Sequence, residues 1–453
     1  MIRFGGLGTG QDTQAIVDAL LEVERVPIQR LEDEIVEEEE KYSAWSDLDT
    51  KFSDLHTKVQ KLTSYLTWRQ NDVTSSNESV VTGSASYEAA LSSYAVNVTQ
   101  LAQSHRVGSS SQTDTDSALS LSGSFTLNGE EVTVSSSDTL EDIMDAINTA
   151  SANMSDPVTA TIIGTTLVIQ RDSTGTTEMT MDDDSDGILD SLGIWDSGAS
   201  PSATWGNELQ AAQDLAGTIN GVSVTGSSNT GITDILDGVT LNFKSEGSST
   251  LSVSRDIDTI QSAFEDFIDA YNAAMELAEE STKVSLSGSG EQITDVGVLQ
   301  GEQTVASMRF RSRNLVTTYF ADPAISNGFN TLQDIGIWTE GDDNRLALIS
   351  SDKLKDALEN NFDEVEDLIR DFDDGILTNF EDYTEEVRSP VDGTIARRQT
   401  SIRNLIFDKE ERIEDINLLI LEKEAELFQH YAQMESAVAS INSQGQFLSS
   451  QLQ

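Results

Sequence analysis

Residues 48–66 read LDTKFSDLHTKVQKLTSYL, with an apolar side chain at every third or fourth position. Residues 427–452 keep nearly the same spacing, with Gly445 at the one gap. The apolar positions are Leu48, Phe52, Leu55, Val59, Leu62 and Leu66, then Leu427, Tyr431, Met434, Val438, Ile441, Leu448 and Leu452. A stripe with this period is buried against another helix. Because the stripes lie near opposite ends of the chain, we predict that the terminal segments pair as a coiled coil.

The chain is strongly acidic. Among 453 residues, Asp and Glu number 79 and Lys and Arg number 27, which gives a formal net charge of −52. This balance argues against nucleic acid as a partner, because phosphate binding requires clustered Lys and Arg. Copies of such a chain also repel each other. We therefore expect self-assembly to need salt or a careful placement of the few basic residues.

The chain contains no cysteine, so it has no disulfide, thiolate metal site or cysteine nucleophile. Residues 1–6 show neither the apolar core nor the small-residue cleavage site that is typical of a secretory signal peptide. No stretch approaches the ~18 apolar residues of a membrane span. We expect no membrane insertion and, for any export, a route that removes no leader.

The middle of the chain has a β pattern. After Trp68 the composition shifts to Ser, Thr, Gly and Val, and residues 94–99 alternate apolar and polar side chains, as a half-buried strand does. Further predicted strands are residues 124–127, 132–134, 159–163, 166–169, 239–243 and 251–254, with one helix at 139–150. Asn128-Gly129 and Asn220-Gly221 are typical of hairpin turns. These patterns predict a mainly antiparallel β region made of two modules.

Helical spacing flanks this β region on both sides. Before it, Ile16, Leu20 and Val23 follow a possible N-cap at Asp12, and Pro27 is predicted to end this helix or to begin the next one. After it, helical spacing returns at residue 257 and continues to the end of the chain, apart from a looped segment near residues 332–348.

Several segments, in their order along the chain, resemble the flagellar filament-capping family, also called hook-associated protein 2. The most specific is ITDILDGVTL at residues 232–241, followed by VSRD at 253–256 and FIDAYN at 267–272. The others are GTGQD at 8–12, IVDAL at 16–20, PIQRL at 27–31, YAVNVTQLA at 94–102, the repeat-like stretch 125–148, and the end of the chain from 434 to 452.

The resemblance implies a ring of five subunits at the distal tip of the bacterial flagellum, outside the cell. Its partners would be flagellin, the hook–filament junction proteins, the flagellar type III export apparatus and an export chaperone. Such a cap helps flagellin to fold and insert, makes and breaks no bond, and needs no cofactor. The alternatives are a hook–filament junction protein or a flagellin, and a surface adhesin that mediates cell adhesion through its β region.

The pattern and the resemblance together predict a discontinuous, multidomain α+β protein. The terminal coiled-coil stalk takes residues 1–42 and 408–453, and a helical leg domain takes 43–75 and 256–407. An outer antiparallel β-rich head domain takes 76–111 and 209–255, and a second β head domain, 112–208, is inserted into it.

One acidic segment resembles the start of a calcium-binding loop. Asp182, Asp184 and Asp186 precede Gly187 in the order D-x-D-x-D-G, so the three carboxylates would face one cation. The twelfth loop position, where a bidentate Glu is required, is Gly193. The segment is therefore either a weak calcium site or an exposed acidic turn.

Two groups of arginines stand out in so acidic a chain. They are Arg309, Arg311 and Arg313, and Arg397, Arg398 and Arg403. One interpretation is local ion pairing within the subunit. The other is a subunit interface, in which these side chains contact a neighbouring acidic leg.

Overall fold

A computed structural model describes residues 12–183, 186–197, 204–286, 293–320, 329–339 and 345–451. The chain divides into two compact units. One, the helical unit, consists of Met1–Thr67 and Ile257–Gln453, and the other, the β unit, is Trp68–Asp256. The β unit is thus inserted into the helical unit, and the prediction of a discontinuous α+β fold is confirmed.

The described helices are, in chain order, α1 (Thr13–Thr63), α2 (Tyr65–Trp68), α3 (Leu140–Ser151), α4 (Ile188–Leu192), α5 (Ile257–Glu280), α6 (Gln303–Val316), α7 (Ser351–Asn360), α8 (Phe362–Arg370), α9 (Ile376–Arg388) and α10 (Thr394–Gln451). A short 3-10 helix lies at Leu332–Ile335.

The described strands of the first half are β1 (Asn71–Ser75), β2 (Val81–Ala85), β3 (Ser92–Gln100), β4 (Arg106–Gly108), β5 (Gly123–Leu127), β6 (Glu130–Val134), β7 (Val158–Ile163), β8 (Thr166–Arg171), β9 (Met181–Asp182) and β10 (Trp195–Asp196). They are followed by β11 (Thr204–Trp205), β12 (Glu208–Gln210), β13 (Leu215–Ile219), β14 (Val222–Gly226), β15 (Ile232–Leu236), β16 (Val239–Phe243), β17 (Gly247–Arg255), β18 (Val284–Leu286), β19 (Ile293–Val296), β20 (Ile337–Thr339) and β21 (Leu346–Leu348).

Helix α1 begins at a side-chain cap and continues through a proline. The carboxylate of Asp12 accepts a hydrogen bond from the backbone N–H of Ala15 at 3.1 Å, which satisfies one of the free donors of the first turn. Pro27 lies inside α1, so the prediction that it ends or begins a helix is wrong. An interior proline costs roughly 3 kcal/mol. Burial of Leu21 and Ile28 on either side of it offsets this cost.

The second half of α1 forms the core of the helical unit. Leu48, Phe52, Leu55, Val59 and Leu62 are fully buried, and α1 packs against α5 and α9 as well as α10. The carboxylate of Glu381 on α9 accepts a hydrogen bond from Thr63 at 2.6 Å. In α5, Asp266 pairs with the ammonium of Lys58 at 3.3 Å. The stripe of residues 48–62 is therefore core between α1, α5 and α9.

This placement corrects the predicted pairing of the two stripes. Helices α1 and α10 run antiparallel, so the C-terminal part of α1, which contains residues 48–62, lies far from the C-terminal part of α10, which contains residues 427–452. The two stripes therefore do not face each other. Leu66 lies beyond the end of α1, in α2, where its side chain is 60% exposed.

A buried histidine connects α1 to α9. The Nδ1 atom of His56 lies 2.9 Å from the hydroxyl of Thr384, and its Nε2 atom lies 3.5 Å from the carboxylate of Glu385. Burial lowers the pKa of His56 below its ordinary value, as does nearby Arg388, while Glu385 and Glu381 act in the opposite direction. His56 is therefore neutral in the folded chain at neutral pH.

We expect the helical unit to lose stability as the pH falls below about 6.5, the ordinary pKa of histidine. The unfolded chain then binds a proton that folded His56 resists, which lowers the free energy of unfolding by up to about 1.4 kcal/mol per pH unit. Urea unfolding at pH 7.5 and 5.5 checks this, with His56→Gln expected to remove part of the dependence. A dependence that is unchanged in His56→Gln would contradict this assignment.

The described strands of the β unit form two groups of sheets, called the outer and the inner module below, and every described strand pair is antiparallel. In the outer module, the sheets β1-β17-β3-β13-β14 and β15-β16-β2 enclose one apolar core. In the inner module, α3 packs on the sheets β12-β4-β8-β7 and β6-β5-β9 around a second core. The two predicted hairpin turns are also confirmed, since Asn128, Gly129, Asn220 and Gly221 all have positive φ.

Two predicted boundaries move by a few residues. Strand β1 pairs with β17, with Asn71 opposite Arg255, so residues 71–75 belong to the β unit and not to the leg. Strands β4 and β12 pair in the sheet that contains β8, so the inner module begins near residue 106 and ends near residue 210. Both errors fall on short strands, whose alternation is too brief to identify from the sequence.

Candidate functional site

The longest helices, α1 and α10, pair antiparallel through side chains from both ends of the chain. The pairs occur in opposite order along the two helices: Thr13 with Glu435 (3.0 Å), Glu24 with Lys423, Glu34 with Lys409 (2.9 Å), and Ser46 with Gln399 (2.9 Å). The hydrogen bond from Lys409 holds the pKa of Glu34 below its ordinary value. Three of these pairs are partly buried and the pair of Glu24 and Lys423 is exposed, and together they fix the register of the two helices.

An apolar seam lies between the two helices. Val17, Leu21 and Ile28 of α1 are buried together with Ile420 of α10. The partly buried side chains packed against them are Ile413, Ile416, Leu427, Phe428 and Tyr431, all on α10. The structure thus places the predicted seam residues Leu427 and Tyr431 here, opposite the first turns of α1.

The remaining predicted seam residues of α10 lie further along the helix. Helix α10 continues to Gln451, past the Glu435 that bonds Thr13. Along this extension Val438 is partly buried, whereas Met434, Ile441 and Leu448 are exposed. Leu452 is outside the described residues.

Both helices of the pair carry exposed apolar side chains. They are Leu20, Val23 and Val26 on α1 and Leu418, Leu419 and Leu421 on α10. A groove of about 430 Å³ next to Pro27 is lined by Ile416, Leu419 and Ile420. Clustered exposed apolar surface of this kind marks a site of association with another protein.

Three of the six candidate arginines form ion pairs within the subunit. Arg309 pairs with Glu279 at 2.9 Å, Arg311 pairs with Glu386 at 2.8 Å, and Arg398 pairs with Glu302. These three arginines therefore take part in local ion pairs.

The other three arginines differ in their surroundings. The guanidinium of Arg403 lies 5.6 Å from the ring centre of Tyr42, so it contributes to the α1–α10 pair by a cation–π contact. Arg397 is exposed on α10, and Arg313 is partly buried on α6.

The candidate calcium loop is only partly described. Asp182 lies in strand β9, opposite Thr126, and the carboxylate of Asp186 accepts the backbone N–H of Ser124 at 2.9 Å. Asp184 is outside the described residues. Within the described ranges, no group of three or more His, Asp or Glu side chains is placed to hold a metal ion.

One further sequence prediction concerns membranes. None of the helices in the described parts of the chain is long and apolar enough to cross a membrane.

The α1–α10 pair combines apolar and ion-paired contacts, which are the contacts by which helices bind one another. We therefore treat this pair as the candidate functional site.

Two family profiles match the chain. The profile described as "Flagellar hook-associated protein 2 C-terminus" matches residues 212–443, and the one described as "Flagellar hook-associated protein 2 N-terminus" matches residues 9–105. Together they contain all of α1 and the part of α10 up to residue 443.

Individual relatives agree with the profiles. The A-type flagellar hook-associated protein 2 of Pseudomonas aeruginosa is 25% identical over 475 aligned residues, which cover 96% of this chain and 94% of that protein. The flagellar hook-associated protein 2 of Salmonella typhimurium is 26% identical, covering 71% of this chain and 68% of that protein.

The fold also resembles a solved structure. Domains D1–D2–D3 of the flagellar cap protein FliD from Escherichia coli match with a TM-score of 0.54 and 24% identity. The match covers 80% of this chain and 99% of that one.

Proposed function

Since this chain belongs to the flagellar hook-associated protein 2 family, we propose that it caps the distal end of the bacterial flagellar filament, outside the cell. The observation that carries the proposal is the match of the family profiles to both halves of the helical unit, including α1 and α10. The cap promotes the insertion of exported flagellin without catalysis or cofactor. The adhesin and junction-protein alternatives predict different outcomes in the experiments below.

In this function the helix pair is the part that engages the filament. The pair exposes leucines on both helices and valines on α1, and α10 carries apolar side chains beyond its last pair with α1. A helix-in-groove contact needs apolar residues at this spacing. Residues 1–42 and 408–453 then act as the stalk, and the rest of the helical unit acts as the leg.

We propose a ring of copies, five in number, as the working form. Its further partners are the hook–filament junction proteins, and before assembly an export chaperone and the flagellar type III export apparatus. The exposed leucines of α10 support a chaperone contact before assembly, because a chaperone would cover them until export.

Deleting the gene tests the function. We expect the deletion strain to lose its filaments and to release unpolymerised flagellin into the medium, and a wild-type copy should restore filaments. A strain that keeps normal filaments and loses only attachment to surfaces would support the adhesin alternative.

We further expect assembly of the purified chain to be favoured by salt. With a net charge of −52, copies repel at low ionic strength, and the screening length falls from about 30 Å at 0.01 M salt to about 8 Å at 0.15 M. Light scattering across a salt series measures the oligomer fraction. A decrease of that fraction with rising salt would show that attraction between charges, and not repulsion, controls assembly.

A further inference from the structure

Helix α6 is a basic element in an acidic chain. It contains Arg309, Arg311 and Arg313 and no acidic residue, whereas the whole chain has a net charge of −52. Its outward side is an open groove of about 520 Å³, lined by Ala306, Ser307, Phe310, Arg311 and Asn314. Phe310 is 69% exposed there. The surface, called the α6 groove below, thus combines an exposed aromatic ring with positive charge.

The loop between α8 and α9 has the complementary composition. Residues 371–374 read DFDD, and the side chain of Phe372 is 90% exposed. The carboxylate of Asp371 accepts the backbone N–H groups of Asp373 and Asp374, both at 3.0 Å. These bonds fix the turn, and the side chains of Asp373 and Asp374 are exposed on either side of the loop tip. A phenylalanine exposed this completely has its whole ring available to pack against another surface.

The α6 groove and the loop lie on different sides of α9. Glu386 pairs with Arg311, and the hydroxyl of Tyr383 donates to the backbone oxygen of Met308, so this side of α9 faces α6. Phe372 instead lines a pocket with Thr378 and Glu381 on the side that faces α1. At 100° per residue, these two sides are about 140° apart around the helix.

From this arrangement we propose that Phe372 of one copy packs into the α6 groove of the next copy. Asp373 and Asp374 then face the arginines of α6, and the contact joins two different surfaces. The α6 groove and the loop with Phe372 lie on different sides of the chain, so each copy contacts its two neighbours through different surfaces. Such a heterologous contact closes into a ring if the rotation between neighbouring copies allows it. The inference rests on the proposed function, in which a ring of copies is the working form.

Electrostatics favour this location. Two copies of a chain with so many carboxylates repel over most of their surfaces, so stable contact requires a place where positive charge meets negative charge. Helix α6 supplies guanidinium groups, of which Arg309 and Arg311 also pair with Glu279 and Glu386 of their own subunit, and the DFDD loop supplies carboxylates. The pair of Arg311 and Glu386 is exposed and contributes little to stability, so it leaves Arg311 available for a second carboxylate. Exposed aromatic side chains that enter a groove are typical anchors of such interfaces.

Cross-linking of the full-length chain tests the contact, because the chain has no cysteine of its own. Asn314→Cys places a thiol in the α6 groove, and Asp374→Cys places one beside Phe372. We expect a short bismaleimide to join the two variants into dimers when they are mixed in salt that supports assembly. The double variant should give a ladder of higher oligomers.

A matched control uses another exposed loop. Val391→Cys lies between α9 and α10 at a side chain that is 88% exposed, and it should not cross-link to Asn314→Cys above background. Equal yields with Val391→Cys and Asp374→Cys would overturn the proposal. Cross-linking of Asp374→Cys with itself, and not with Asn314→Cys, would also overturn it in favour of a symmetric contact.

Substitutions provide a second measurement. Phe372→Ala should weaken association at least about tenfold, the effect of losing an interface anchor, whereas Val391→Ala should not change it. Arg311→Glu and Asp373→Arg should each weaken association, and their combination in one chain should restore part of the loss, because this one pair then has reversed charges. Thermal unfolding verifies that each variant folds.

The outcomes separate this inference from the function on which it rests. If oligomers form but Phe372→Ala has no effect, the contact is wrong and the capping function stands. If the wild-type chain remains monomeric at every salt concentration and the deletion strain keeps its filaments, both are wrong.

Discussion

Phe380→Ala is expected to lower the free energy of unfolding of the helical unit by about 3–5 kcal/mol, the usual cost of removing a buried phenyl ring. Phe380 is fully buried in α9, and its ring contacts Phe267 edge-on, with centroids 6.0 Å apart. The rings of Tyr271 and Tyr383 both lie 6.1 Å from it. The alanine variant leaves a cavity where α9 packs against α1, α5 and α6.

Urea unfolding followed by helical circular dichroism measures this effect, because most helical residues belong to the helical unit. The matched control is Phe310→Ala, which removes the same side chain from an exposed position of α6. It should change the free energy of unfolding by no more than about 0.5 kcal/mol. Similar losses in both variants would contradict the assigned core.

Leu21→Asp is expected to separate the terminal helices without unfolding the rest of the chain. Leu21 is buried in the seam with Val17, Ile28 and Ile420, so the change removes apolar contact and places a carboxylate where it is poorly solvated. A loss of about 3 kcal/mol corresponds to roughly 100-fold faster amide exchange. The increase should appear in residues 13–31 and 413–431 and not in the core formed by α5 and α9.

Val23→Asp is the control for this experiment, since Val23 lies two residues away on the exposed face of α1. It should leave amide exchange in both segments unchanged. Under the proposed function, the Leu21→Asp protein also fails to restore motility to the deletion strain. Normal motility together with fast exchange would mean that helix pairing is not required for capping.

Local patterns in the sequence predicted the β unit well. The alternation at residues 94–99 corresponds to β3, the run at 239–243 is β16, and the helix predicted at 139–150 is α3 with Thr139 as its N-cap. These signals are local, because a strand or a capped helix is specified by its own residues and its turns.

The pairing of the terminal stripes was predicted less well. Periodicity shows that one face of a helix is buried, but it does not identify the surface that covers it. Residues 48–62 are buried, but against α5 and α9. At the start of α1 the predicted apolar positions are Ile16, Leu20 and Val23, whereas the seam consists of Val17, Leu21 and Ile28. The spacing of Val17, Leu21 and Ile28 also fits a helical stripe, so the sequence contained a signal that identifies these seam residues.

The roles of the arginines depend on contacts between distant parts of the chain. Glu279 and Arg309 come together only because α5 and α6 pack, and Glu302 meets Arg398 across 96 residues. A sequence without an alignment carries no signal for such pairs. The structure therefore shows local ion pairs for three of the arginines that the sequence could not assign.

The position of the protein on the flagellum tests the capping function most directly. Ser136→Cys gives the chain a single thiol at an exposed turn between β6 and α3, which can carry a gold label for electron microscopy. The capping function predicts a label at the free distal end of each filament. Label at the junction with the hook, or distributed along the filament, would contradict it.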